Sequence, residues 1–216
     1  MYVKTLAAGF GLAAALSLPA SAAVLSFSGA LSSAGTAAEI IAAPTNATDD
    51  SVTNTGMQAF DEVQNYVLQS DIMTDQGTIA AGTRVDSHMI FLNGSGGRIS
   101  HDVDWTFSGM ILGTMSDGPG ALEAASTGQL GAAGTNYTTP TGGGDQTAPF
   151  TARGLESNDS LSFAAGSSVL SANFIVTQPG DWVRVVTAAV PIPASLPLGL
   201  AAFAGLGLMA RRRKMA

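Results

Sequence analysis

Two strand-like runs separated by a glycine-rich turn make up residues 84–110, RVDSHMIFL-NGSGG-R-ISHDVDWTFSGM. The second run alternates, with the mostly apolar set Ile99, His101, Val103, Trp105 and Phe107 at every other position and polar residues between them. A period of two places that set on one face of a strand, and a short glycine-rich connection is typical of strand ends. These residues therefore predict two successive strands of a β-rich domain.

Further strand-like runs follow at 161–163, 168–176 and 182–187, and turn residues such as Gln178-Pro179-Gly180-Asp181 lie between them. The segment from Met57 to Ser70 fits both helical and strand patterns, and its β-branched and aromatic content favours a strand. Residues 135–150 are rich in Gly, Thr and Pro and predict a mobile surface loop. Short strands with this punctuation predict an all-β, antiparallel β-sandwich of jelly-roll-like type.

Charge is distributed very unevenly along the 216 residues. Residues 23–187, called the ectodomain below, contain all 16 acidic residues and four arginines but no lysine, for a net charge of −12. A field of this sign disfavours nucleic acid as a partner. The chain has no cysteine, which excludes disulfides and thiolate metal sites.

The N-terminal 22 residues have the three parts of a secretory signal peptide. Lys4 gives the positive region, residues 6–18 give the apolar region, and Ala20-Ser21-Ala22 gives the small-residue cleavage site. We expect a signal helix within 1–22 and cleavage by signal peptidase before Ala23. A retained membrane anchor is the alternative.

The C-terminal residues 188–216 also have three parts. Val190-Pro191-Ile192-Pro193-Ala194-Ser195 comes first, an apolar stretch at 194–210 follows, and Arg211-Arg212-Arg213-Lys214 closes the segment. The stretch is near the lower length limit for a single transmembrane helix, and the basic stub is expected to stop transfer and stay cytoplasmic. An ordinary single-span anchor with a proline-containing linker is one explanation.

This order of parts resembles the VPLPA variant of the PEP-CTERM sorting signal, with Ile192 in place of leucine. The resemblance implies recognition by an exosortase, an integral-membrane enzyme that removes the tail, after a transient stay in the inner membrane with the ectodomain in the periplasm. The segments 81–88, 154–160 and 179–187 are similar to parts of some PEP-CTERM ectodomains. That likeness implies a β-sandwich and no known activity.

Residues that could carry chemistry are few. His88 and His101 lie in strand-like runs, and Asp102 and Asp104 share the strand face opposite His101, so a structural role is favoured for both histidines. Trp105 and Trp182 could stack on a sugar, although large aromatics in strands are more often core. No cofactor is predicted, while the acidic pairs Asp49-Asp50 and Asp102-x-Asp104 leave weak Ca²⁺ binding open.

Enzymatic motifs are missing from the sequence. It has no H-E-x-x-H and no G-x-S-x-G, and spacing alone pairs none of its four glutamates for glycoside hydrolysis. Glu156 and Asp159 have the positions of turn and capping residues. We expect a non-enzymatic protein, secreted or at the cell surface, with a structural or adhesive ectodomain. The alternatives are an exopolysaccharide-binding module and a secreted hydrolase.

Overall fold

The structure is a computed structural model that describes residues 23–47, 53–94, 96–137, 153–177 and 180–190. The predicted signal helix and the predicted transmembrane helix at 194–210 lie outside these ranges. Within them, no helix is both long enough and apolar enough to cross a lipid bilayer.

The described residues are mostly β-strands, with one short helix, so the predicted all-β class is confirmed. The elements are β1 Val24–Gly29, β2 Glu39–Ile40, β3 Gln58–Asp61, β4 Tyr66–Val67, β5 Ile72–Thr74, β6 Gly77–Ile79, β7 Arg84–Leu92, β8 Ile99–Phe107, β9 Ile111–Met115, α1 Ala121–Leu130, β10 Ser160–Ser162, β11 Val169–Val176 and β12 Asp181–Ala188.

Two sheets contain most of these strands. One has the order β1-β8-β11-β10, and the larger one has the order β2-β3-β7-β12-β9, with β4 also paired to β7. Strands β5 and β6 form a separate two-stranded sheet. All pairs of these strands are antiparallel except β2–β3, which is parallel. The larger sheet is therefore mixed, whereas the sequence predicted a wholly antiparallel arrangement.

The main core is built from residues of both sheets. Strand β8 contributes Val103, Trp105 and Phe107 to it, and β12 contributes Val183 and Val185. The intervening residues of β8 are exposed or half-buried, as the period of two predicts. The apolar faces of the two sheets therefore pack on each other.

Strand β12 is buried on both faces, because a second layer covers the side that points away from the main core. Trp182 lies there in a cluster with Phe60, Phe91 and Tyr137. Val186 belongs to a third cluster that includes Leu130 of α1. The helix thus covers the outer face of the larger sheet.

Helix α1 was not predicted. Gly120, with φ 71°, precedes it, and the Asp117 carboxylate accepts from the N–H groups of Ala121 and Leu122 at 2.7 and 3.0 Å. That carboxylate satisfies two of the free donors at the start of the helix and so acts as its cap.

The predictions for residues 57–70 and 135–150 can be compared with the structure. The segment from Met57 to Ser70 contains β3 and β4, which confirms the preference for strand. The predicted mobile loop at 135–150 begins with an anchored residue: Tyr137 is buried, and its hydroxyl accepts from the N–H of Ala132 at 2.8 Å. The prediction is wrong for this first part, and residues 138–150 lie outside the described ranges.

Candidate functional site

His101 is held between two segments of backbone. The N–H of Met57 donates to its Nδ1 at 2.8 Å, and its Nε2 donates to the carbonyl of Ala30 at 3.0 Å. Both ring nitrogens are used, the ring is buried, and Asp102 and Asp104 on the opposite face are exposed. The structural role predicted for His101 is confirmed.

His88 belongs to a buried polar chain. Its Nδ1 lies 2.7 Å from Oδ1 of Asp61, and its Nε2 lies 3.1 Å from the hydroxyl of Thr187. A carboxylate, an imidazole and a hydroxyl in this order also occur in hydrolases that use a serine or threonine nucleophile. Here, however, both His88 and Thr187 are 0% exposed, and the ring of Phe107 covers His88 at 4.8 Å. A substrate has no access to that hydroxyl in this structure. The three side chains Asp61, His88 and Thr187 therefore act as a packing contact between strands.

Both tryptophans are in the interior. Trp105 is 0% exposed and Trp182 is 1% exposed, so neither can present a stacking surface to a sugar. The Trp182 ring stacks on Phe91 at 4.1 Å with an interplanar angle of 4°, and the guanidinium of Arg153 lies 4.3 Å from its centroid. The preference for core roles is confirmed for both residues.

Two arginines form buried ion pairs that the sequence analysis did not foresee. Arg153 donates from Nε and one terminal nitrogen to the carboxylate of Glu123 at 3.0 and 2.8 Å. Arg184 donates in the same two-pronged way to Glu62 at 2.7 and 2.8 Å. Burial lowers the pKa of Arg184, but the charge and hydrogen bond of Glu62, together with the charges of Glu123 and Tyr137, raise it by more in total, so the net pKa is above the ordinary value.

Three carboxylates converge at one end of the larger sheet. Carboxylate oxygens of Glu156, Asp159 and Asp181, here called the acidic cluster, all lie within 4.8 Å of one another. Glu156 is exposed, Asp159 is half-buried and Asp181 is 1% exposed. Burial raises the pKa of Asp181 to about 8, with further contributions from the charges of Asp159 and Glu156. An array of carboxylate oxygens is suited to a hard cation.

The backbone around the acidic cluster is closely tied to its neighbours. Oδ2 of Asp159 accepts from the N–H of Glu156 at 2.9 Å, which confirms the turn role predicted for this pair. Oδ1 of Asp159 accepts from the N–H of Ile175 on β11 at 2.7 Å. Asp181 is the first residue of β12 and is paired with Leu92. The segment before β10 and the start of β12, which are distant in sequence, thus hold the three carboxylates in place.

Gly154 brings the segment that carries Glu156 against the end of β9. The N–H of Leu155 donates to the carbonyl of Ser116 at 2.9 Å, and a Cβ on Gly154 would lie 1.9 Å from the carbonyl oxygen of Asp117. Only glycine permits so close an approach of two backbone segments.

We expect Gly154→Ala to lower the free energy of unfolding by about 1–3 kcal/mol or more, because the added methyl overlaps a backbone carbonyl. Equilibrium urea unfolding measures the change. The matched control is Gly128→Ala in α1, where a Cβ meets nothing within 4 Å. That variant should gain about 0.5–1 kcal/mol. Equal midpoints for the two variants would contradict the prediction.

The calcium candidates taken from the sequence do not coincide with the acidic cluster. Asp49-Asp50 lies outside the described ranges. Asp102 and Asp104 are exposed, and Oδ1 of Asp104 accepts from the hydroxyl of Ser171 at 2.5 Å. The acidic cluster was missed because Asp181 lies more than 20 residues after Asp159 in the sequence.

Two of the predicted processing residues lie within the described ranges. The N of Ala23, at the expected cleavage site, donates to the hydroxyl of Ser108 at 2.9 Å. Val190 is 37% exposed. Ala20, Ala22, residues 191–195 and residues 211–214 are outside those ranges.

Comparison of the chain with known protein families, with curated proteins and with solved structures found no match.

Proposed function

We propose that this chain is an exported surface or matrix protein whose C-terminal tail is removed by an exosortase. The observation that carries the proposal is the order of three parts between Val190 and Lys214: the prolyl motif, the apolar stretch and the basic stub. Pro191 and Pro193 disfavour helix and keep the motif extended, as a processing enzyme requires of its substrate peptide.

The bounds of the folded domain support this proposal. Strand β1 begins at Val24, directly after the expected signal peptidase site, and β12 ends at Ala188, two residues before the motif. All described residues belong to one compact unit. Removal of both ends would therefore leave every described strand in place.

We infer that the ectodomain is a mostly antiparallel β-sandwich with jelly-roll-like connections and that its role is structural or adhesive. The shared core of the two sheets supports the sandwich, and successive strands β7, β8 and β9 alternate between the sheets. The burial of Thr187 and His88 supports a non-enzymatic role, because the hydroxyl–imidazole pair is closed to substrate.

Mass spectrometry of the mature protein from an exosortase-containing host tests the processing steps. We expect an N-terminus at Ala23, a C-terminus between Val190 and Ser195, and no peptide from Arg211 to Lys214. The doubly substituted variant Pro191→Ala/Pro193→Ala should keep its full tail, because its motif no longer resists helix formation. An intact tail on the mature wild-type protein would show that the segment is an ordinary membrane anchor.

A further inference from the structure

We propose that Glu156, Asp159 and Asp181 form a Ca²⁺ site that joins the segment before β10 to the start of β12. The spacing of the oxygens fits a common ion. Oxygens bound to one Ca²⁺ at about 2.4 Å lie at most about 4.8 Å apart, which is the limit that all three carboxylates meet.

A second observation at the same place points to a missing ligand. Among the residues that the structure describes, none forms a hydrogen bond with the buried Oδ2 of Asp181, and this carboxylate belongs to the acidic cluster. Buried polar atoms in folded proteins are nearly always paired, and a buried charge is tolerated when it is paired or coordinates a metal. A bound cation would supply the partner that the described part of the chain does not provide.

The three side chains form a graded site that opens to solvent. Asp181 lies at the buried end, Asp159 is half-buried and Glu156 is exposed. Each oxygen of Asp159 accepts one backbone N–H, so its orientation is fixed before an ion binds. Water can complete the coordination on the exposed side, as it does in many calcium sites.

Ligand chemistry favours Ca²⁺ over the other common divalent ions. The acidic cluster offers only carboxylate oxygens, whereas Zn²⁺ sites typically include histidine nitrogens or cysteine sulfurs. Mg²⁺ keeps several of its own waters and rarely uses an all-protein cage. Three carboxylates with an open face suit an affinity of roughly 10⁻⁴–10⁻³ M, the range of extracellular calcium modules.

Ion binding should stabilise the native state, because Asp181 and Asp159 come together only when β10 and β12 are in place. After removal of metal with EDTA, we expect the full chain to bind one Ca²⁺ in isothermal titration calorimetry. At about 100 times the dissociation constant, Ca²⁺ should raise the melting temperature by about 5–10 °C. Mg²⁺ should bind at least tenfold more weakly.

Substitutions distinguish a ligand from a merely structural carboxylate. In EDTA, Asp181→Asn should melt at or above the wild-type temperature, because it replaces a buried carboxyl group that the nearby charges of Asp159 and Glu156 disfavour in its ionised form. In Ca²⁺ the order should reverse, because the variant loses the ion. Glu156→Gln, which changes an exposed side chain, should weaken Ca²⁺ binding at least tenfold and leave melting in EDTA unchanged.

The matched control is Asp104→Asn on β8, an exposed carboxylate of the other candidate pair. It should bind Ca²⁺ as the wild type does. The proposal is overturned by the absence of a Ca²⁺-dependent shift in the wild type, by equal or tighter Mg²⁺ binding, or by loss of binding in Asp104→Asn alone. A lower melting temperature of Asp181→Asn in both EDTA and Ca²⁺, with binding retained in Glu156→Gln, overturns it as well.

Discussion

Arg184→Met is expected to lower the free energy of unfolding by about 3–5 kcal/mol, because it leaves the buried Glu62 without its counter-charge. Both side chains of this pair are 0% exposed. The same guanidinium also donates to the carbonyl of Glu123 at 2.8 Å and to the hydroxyl of Ser126 at 2.8 Å, both on α1. A third hydrogen bond runs from the guanidinium to the hydroxyl of Thr127 at 3.1 Å. The substitution thus removes an ion pair and also three hydrogen bonds that hold the helix on the larger sheet.

Urea unfolding of three variants measures this effect. Arg84→Met is the matched control, because Arg84 is an exposed arginine on β7, and its free energy of unfolding should change by about 0.5 kcal/mol or less. The double variant Arg184→Met/Glu62→Leu should recover part of the loss, since it removes the unpaired charge as well. Equal midpoints for Arg184→Met and Arg84→Met would show that the buried pair does not stabilise the fold.

The strands that could be predicted are those whose pattern is local. In β8 the residues alternate between the core and the outside, and that alternation is visible in the sequence from Ile99 to Phe107. The predicted run 84–92 coincides with β7. For such strands the hydrophobic period alone determines which face is buried.

Helix α1 could not be predicted because its sequence is weakly patterned and contains Gly128 in its interior. Its position depends on tertiary contacts with arginines from other segments, chiefly Arg153 and Arg184. One sequence feature could have indicated them: Arg184 stands alone among apolar residues in the run Trp182-Val183-Arg184-Val185-Val186. A charged side chain in a strand that is buried on both faces requires a buried partner.

The acidic cluster was beyond sequence analysis for a different reason. Glu156 and Asp159 have a local role that their spacing does indicate, a turn, and that role is correct. Asp159 is hydrogen-bonded to β11, which lies in the smaller sheet, whereas Asp181 is the first residue of β12 in the larger sheet. The proximity of Asp159 and Asp181 is therefore a contact between the two sheets. Contacts between sheets depend on how the sheets stack, and a period of two contains no information on stacking.

Trp105→Ala is expected to lower the free energy of unfolding by about 3–5 kcal/mol, because the residue fills the core between the two sheets. Its side chain is 0% exposed, and its indole N–H donates to the sulfur of Met57 at 3.1 Å. Removing the indole leaves a cavity lined by residues from both sheets, and rigid strands close such a cavity only in part.

Phe27→Ala is the matched control, because Phe27 contacts Trp105 at 5.5 Å between ring centroids but is 39% exposed. It should lose about 1–2 kcal/mol in urea unfolding, since less apolar surface leaves water when it packs. Similar losses for the two variants would contradict the core position of Trp105. The comparison also bears on the polysaccharide-binding alternative: loss of sugar binding in Trp105→Ala would follow from unfolding, whereas loss in the folded Phe27→Ala protein would identify a binding surface on β1.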